Sequence, residues 1–175
     1  GAYEFWGAKG YDRGTDYAEV DEIKWDKKAF TQEEIKLIDA AIDELNRDRG
    51  AMSLSSANRE IYLLLKEGIK VSAPDGHGGQ KTERVRIIEW ETPNNNDYLI
   101  VSQFSVTGAL YTRRPDLVGF INGLPLVVVE LKKPGVPARN AFDDNLTCYK
   151  SDIPQLFAYN ALLIASNGTD SRVGS

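Results

Sequence analysis

The spacing of apolar residues changes along this chain, and each change marks a new element. From Thr31, the residues Ile35, Ile38, Ile42 and Leu45 recur at helical spacing and make one face apolar. Thr31 and Glu34 form a T-x-x-E capping box, so a helix is predicted to start at Thr31, and Gly50 is predicted to end it. A second helix is predicted from Ser56 to Lys66, with Ile61, Leu64 and Leu65 inward and Gly68 as its stop. Val71 to Gln80 carries Pro74-Asp75-Gly76 and Gly78-Gly79 and reads as a loop; His77 within it is assigned no role. The period then drops to two. Glu83–Trp90 and Tyr98–Val106, separated by the turn cluster at residues 93–97, read as an antiparallel pair. Asn122-Gly123 lies between the apolar runs Leu117–Ile121 and Leu124–Leu131, the strongest short-range hairpin signal. Pro134 and Pro137 stop pairing, Ala138–Tyr149 reads as a helix, and Ala161–Ala165 reads as a short buried strand before a turn at Asn167-Gly168. Residues 1–30 hold Tyr3, Phe5, Trp6, Tyr11, Tyr17 and Trp25 with no sustained period, and read as an irregular segment anchored on the domain by its aromatics. Residues 31–175 read as a single domain. The order predicts an α/β fold, a mixed β-sheet flanked by helices.

Composition narrows the function classes. At 175 residues the chain is long enough for one domain, and a domain of this size buries roughly 70% of the surface its unfolded chain exposes. The apolar run Leu124–Val129 is far short of the ~20 residues a membrane span needs, and no secretory leader pattern is visible. One cysteine, Cys148, excludes an internal disulfide framework and fits a reducing compartment. With a single histidine as well, a zinc site built from His and Cys alone is excluded, as is a Cys–His nucleophilic pair unless His77 and Cys148 meet. Cys148 itself reads as a small core residue. The net charge of −5 argues against a protein coated in base. The charge is uneven, however: residues 1–60 hold 9 Lys/Arg against 14 Asp/Glu, and residues 112–175 hold 7 against 6. A polyanion would more plausibly meet the second region.

The chemistry lies on the hairpin. Glu130 and Lys132 interrupt the most apolar strand, and a period of two points both to one face, with Leu131 on the other. An ionised Glu in a buried strand costs several kcal/mol unless it is compensated. Lys132 is one compensating partner and a divalent cation is another. A two-residue turn at Asn122-Gly123 sets Asp116 opposite Val129, next to Glu130, so two carboxylates converge at one end of the hairpin. Like charges that close would raise one pKa, whereas Mg²⁺ turns them into a site, because it takes one or two carboxylates with waters and phosphate oxygens. Asp, Glu and Lys grouped in this way suit metal-assisted phosphodiester hydrolysis. The alternative is purely structural: a buried Glu130–Lys132 ion pair, with Asp116 as a turn or cap residue.

Pro115-Asp116 followed by Glu130-Leu131-Lys132 resembles the PD-(D/E)xK nuclease motif. The run from Arg114 to Val118, the run from Asn122 to Pro134, Ile153-Pro154-Gln155-Leu156-Phe157 and Tyr159-Asn160 together resemble the N-terminal nuclease domain of the R subunit of type I restriction–modification enzymes. Asn58-Arg59-Glu60, Leu64 to Val71, and Asn94 to Tyr98 also read like that family, so the resemblance covers roughly residues 56–175.

The resemblance implies a restriction-endonuclease-like core and Mg²⁺-dependent cleavage of double-stranded DNA, with Mn²⁺ as a substitute metal. It implies that Asp116, Glu130 and the Leu131 backbone carbonyl hold the metal, and that Lys132 positions the attacking water. The family's Q-x-x-x-Y motif, associated with holding DNA, finds its tyrosine in Tyr149 and has Asn145 at the glutamine position. A surface polar residue and a packing tyrosine are the plain alternatives for these two. Arg113, Arg114, Lys133, Arg139 and Lys150 flank the site as contacts for the DNA backbone or as solubilising charges. The acidic residue that many relatives carry on an early helix has no clear counterpart; Glu60 is a weak stand-in. No G-x-x-x-x-G-K-[S/T] occurs, so ATP is expected to be used by the parent enzyme's motor and not by this chain. The text stops near Gly174, about where the family's linker to that motor begins, so the chain is expected to be the nuclease part. Modification and specificity subunits are the implied partners, in a bacterial or archaeal cytoplasm. Two other readings remain open: a non-catalytic docking or DNA-binding domain with a degenerate nuclease fold, and the nuclease domain of another PD-(D/E)xK repair or restriction enzyme.

Overall fold

The computed structural model describes residues 31–74 and 79–174, together with residues 7–8 and 20–21. The remainder of segment 1–30 and His77 lie outside the described residues. Within that segment, β1 (Gly7–Ala8) and β2 (Val20–Asp21) pair antiparallel.

The first helix, α1 (Gln32–Leu45), begins where the capping box predicts: Thr31 accepts from the Glu34 N–H, and the Glu34 side chain accepts from the Thr31 N–H. It ends at Leu45 and not at Gly50. Arg49 reaches back to donate to the carbonyls of Leu45 and Glu44, at 2.9 and 3.1 Å, and so closes the helix without a glycine. The second helix, α2 (Leu54–Glu67), is capped by Ser53 and stopped by Gly68, whose φ of 81° suits glycine.

Three of the predicted assignments change. Val71–Pro74 is strand and not loop: β3 (Ile69–Pro74) pairs antiparallel with β4 (Gln80–Val85), because Ile69, Val71 and Ala73 alternate inward. This takes Glu83 away from the partner expected for it. The segment after β4 is folded on itself by Asn96, which accepts from the Glu89 N–H at 2.8 Å and donates to the Glu89 carbonyl at 2.7 Å. The strand β5 (Tyr98–Ser102) therefore pairs with the hairpin that follows it in sequence. It also stops at Ser102 and does not run on to Val106, which opens the short pair β6 (Val106–Thr107) and β7 (Thr112–Arg113).

The hairpin itself is as predicted: β8 (Leu117–Ile121) and β9 (Leu124–Leu131) join at Asn122-Gly123, both in the left-handed region, at φ 50° and 79°. The predicted helix after Lys133 opens with a wide π turn over Ala141–Leu146 and continues as α3 (Thr147–Asp152), then α4 (Pro154–Ala158). The last strands are β10 (Leu162–Ser166), parallel to β9, and β11 (Ser171–Gly174), antiparallel to β10. Among the described residues the sheet has the order β11-β10-β9-β8-β5. It is mixed and flanked by helices, as expected for a restriction-endonuclease-like core.

Each face of this sheet is covered by a different set of elements. Val101, Val118, Val128 and Leu163 pack beneath the π turn, α3 and α4, against Leu146, Tyr149, Leu156 and Phe157. Leu124 and Leu126 pack on the other face against α1, α2 and β3. No described helix is long and apolar enough to cross a membrane.

Candidate metal centre at the end of the hairpin

The site begins with an irregularity in the hairpin. Ile121 pairs with Leu124 and Phe120 with Pro125, but Gly119 pairs with Val127. One residue, Leu126, is therefore extra on β9, which is a β-bulge. Two residues tolerate it. Pro125 has no N–H to lose from the ladder, and a Cβ on Gly119 would meet the Val127 Cβ at 3.1 Å. The carbonyl of Leu126 turns to accept from the Ala161 N–H and the Asn160 side chain, at 2.8 and 3.1 Å.

The bulge corrects the predicted register. Leu117, not Asp116, pairs with Val129. Asp116, one residue earlier, then lies beside Glu130. A one-residue shift exchanges the faces of a strand. Without the bulge Asp116 would face away from Glu130; with it, Asp116 falls on the side of Val118, and Glu130 on the side of Val128, both in the core beneath α3.

The two carboxylates touch through backbone groups. The Asp116 N–H donates to Glu130 Oε2 at 3.4 Å, and the Leu131 N–H donates to Asp116 Oδ2 at 2.8 Å. Asp116 Oδ1 accepts from the Gln103 side-chain amide at 2.8 Å. Glu130 is only 4% exposed, and its second oxygen accepts from the Tyr149 hydroxyl at a long 3.4 Å. Burial, reinforced by the Asp116 charge, pushes the Glu130 carboxyl up to about 7, against the opposing pull of the Asp116 N–H, Lys132 and Tyr149. Burial raises the Tyr149 hydroxyl as well, keeping it a donor.

Lys132 does not form the direct ion pair with Glu130 that sequence spacing allowed. Its ammonium donates to Asn145 Oδ1, and the Asn145 amide donates to the Tyr149 hydroxyl at 3.3 Å. A chain of hydrogen bonds therefore runs Lys132, Asn145, Tyr149, Glu130. The i, i+4 spacing of Asn145 and Tyr149 does bring them together, at the junction of the π turn and α3.

The flanking cations are disposed differently. Arg113 is held by Asp152, with Nε to Oδ2 at 2.7 Å, and lies over the Tyr111 ring. Arg139 pairs with Asp143, and Lys150 lies over the Phe142 ring. Arg114 and Lys133 are exposed. Glu60 is engaged by Arg47 and Arg49. Cys148 is exposed and not a core residue: it falls on the outer side of α3, next to the inward Tyr149. Gln103 is the member of this site that the pattern concealed, because it lies inside Tyr98–Val106, which reads as uninterrupted strand.

The donor set suits a hard cation. Asp116 and Glu130 supply carboxylate oxygens, and no group of three or more His, Cys, Asp or Glu gathers among the described residues. Mg²⁺ typically takes one or two carboxylates and completes its shell with water and phosphate oxygens, so two carboxylates are sufficient.

Comparison with known proteins identifies the family. Residues 3–175 match the family model described as type I restriction enzyme R protein N terminus. The chain belongs to this family. It is 41% identical over 122 residues to the type I restriction enzyme HindI endonuclease subunit of Haemophilus influenzae, covering 67% of this chain and 11% of that protein. It is 40% identical over 120 residues to the putative type I restriction enzyme MjaIXP endonuclease subunit of Methanocaldococcus jannaschii, covering 66% of this chain and 11% of that protein. A shorter match, 34% over 95 residues, is to the type I restriction enzyme EcoprrI endonuclease subunit of Escherichia coli, with 53% of this chain and 30% of that protein covered. The match thus spans about a tenth of the length of the first two relatives.

Proposed function

We propose that this chain is the Mg²⁺-dependent endonuclease domain of a type I restriction enzyme R subunit, and that it hydrolyses phosphodiester bonds of double-stranded DNA. The observation that supports this best is the bulge between Gly119 and Phe120, which turns Asp116 onto the face of Glu130. An apolar hairpin has no packing reason to set a second carboxylate beside a buried one, and the cost of doing so appears in the raised pKa of Glu130.

In this reading Asp116, Glu130 and the Leu131 carbonyl hold the cation, with Mn²⁺ as a substitute. When bound, Mg²⁺ neutralises the carboxylate pair and stabilises charge on a phosphate oxygen. Lys132 keeps its ammonium on the Glu130 face, tethered by Asn145, where it orients the attacking water and counters developing negative charge. Tyr149 donates to Glu130 and holds its carboxylate in place. Arg114 and Lys133, both exposed, meet the phosphate backbone without reading sequence. Arg113 is an accessory here, since Asp152 already holds it. The parent enzyme supplies the rest: ATP-driven translocation by its motor, and target choice by modification and specificity subunits, in a bacterial or archaeal cytoplasm.

Calorimetric titration of Mn²⁺ into the wild type and into Glu130→Ala tests the metal site. Binding by the wild type that disappears in the variant is the expected result. No binding by the wild type would overturn the metal reading.

A further inference from the structure

Two non-glycine residues in the described chain occupy the left-handed region, Gln103 and Asn122. Asn122 is accounted for by its two-residue hairpin turn, which demands that conformation and favours asparagine. Gln103 is in no such turn. It follows the last residue of β5, at φ 56°. A long side chain there persists only where surrounding contacts over-determine it, and such residues cluster at functional sites.

The contacts that hold Gln103 all lead to Asp116. The Gln103 N–H donates to the Asp116 carbonyl at 2.9 Å, and its side-chain Nε2 donates to Asp116 Oδ1 at 2.8 Å. The other oxygen, Oδ2, accepts from the Leu131 N–H at 2.8 Å. The Asp116 carboxylate is thereby pinned from two directions, one on β9 and one on the segment beyond β5. The pinning is needed because Glu130 lies beside it. Two carboxylates repel, and a free aspartate side chain would rotate away.

The type of donor also matters. A lysine or arginine at position 103 would hold Asp116 equally well, but would neutralise it and compete with a cation. A carboxamide orients the carboxylate and leaves its charge intact.

We infer that Gln103 is a positioning residue: its side-chain amide holds the Asp116 carboxylate beside Glu130, ready for a divalent cation. This rests on the metal-site reading given above.

The test is Mn²⁺ titration of the 175-residue chain carrying Gln103→Asn or Gln103→Leu, alongside the wild type and Glu130→Ala. Asparagine is at ease in the left-handed region but is one methylene too short to reach Asp116. Leucine keeps the bulk and removes the donor. We expect both variants to keep the metal-free melting temperature of the wild type. Both should bind Mn²⁺ about tenfold more weakly or worse, the range for partners that orient metal ligands. Wild-type affinity in both variants overturns this inference alone, while the metal site stands. Weaker binding that tracks a drop of several degrees in metal-free melting temperature in both variants overturns it too, because Gln103 then serves the fold only. Absence of binding to the wild type removes the metal reading and this inference with it.

Discussion

The two ends of the β8–β9 hairpin are built on opposite principles. At the turn end, Asn122 accepts from the Asp97 N–H at 2.7 Å and donates to the Ile87 carbonyl and to Asn96, at 2.7 and 2.8 Å. Both polar atoms of the Asn122 side chain have short partners, and the flanking Leu124 and Leu126 are buried against α1 and α2. At the open end, Asp116 and Glu130 stand side by side, and Glu130 is buried with two contacts of 3.4 Å. One end lowers the free energy of the fold and the other raises it. A hairpin that pairs well at its turn can support strain six or seven residues away, because the register fixed by the turn and the bulge is carried along the ladder. Stability and the proposed chemistry thus fall at different ends of one supersecondary unit.

Substitutions at the two ends should therefore have opposite signs. The largest expected effect is on cleavage: Lys132→Ala in the assembled parent enzyme should lower DNA cleavage by about 100-fold or more, with the chain's melting temperature unchanged. Cleavage retained by a folded variant would sink the assignment of Lys132. At the turn end, Asn122→Ala should cost about 3 kcal/mol by denaturant unfolding, since it leaves polar partners unpaired and strains a left-handed position, and the residual folded protein should still bind metal.

Glu130→Gln should do the reverse, and its effect depends on pH. The folded carboxyl titrates at about 7 and the unfolded one near 4.5. Between these values the folded chain binds a proton that the unfolded chain has released. The stability associated with Glu130 is therefore full below 4.5, falls as pH rises through 7, and is level above that. In metal-free buffer at pH 8, Glu130→Gln should gain up to roughly 3 kcal/mol over the wild type, and the gain should vanish at pH 4. Unfolding curves at both pH values measure this, and an equal effect at the two would contradict the burial argument. The smallest effect sharpens the bulge. Gly119→Val should cost about 1–3 kcal/mol by crowding Val127, and should weaken Mn²⁺ binding by disturbing the register that sets Asp116.

Much of this was legible in the sequence where the controlling interactions are local. The Thr31–Glu34 box, Gly68, and Asn122-Gly123 each act within a few residues, and each falls where the pattern predicts. The Glu-x-Lys spacing on β9 is equally local, so a shared face for Glu130 and Lys132 follows from period two alone. The misreadings involve side-chain and backbone contacts that spacing along the chain does not encode. Arg49 replaces a glycine at the end of α1 by reaching back four residues. The register at Asp116 depends on a bulge whose extra carbonyl is satisfied by Asn160 and Ala161, more than thirty residues on. Cys148 reads as core because an unpaired cysteine packs like a small apolar residue, but α3 turns its neighbour Tyr149 inward and so leaves Cys148 outside.

By itself, then, the sequence determined the α/β class, the hairpin and the motif residues, since these rest on backbone propensity and spacing. Tertiary structure decided that β5 joins the hairpin, that one inserted residue turns Asp116 towards Glu130, that Asn145 stands between Lys132 and Tyr149, and that Gln103 grips the aspartate. Each of these is a contact between segments that only folding brings within hydrogen-bonding distance, and no periodicity along a chain encodes a distance across it.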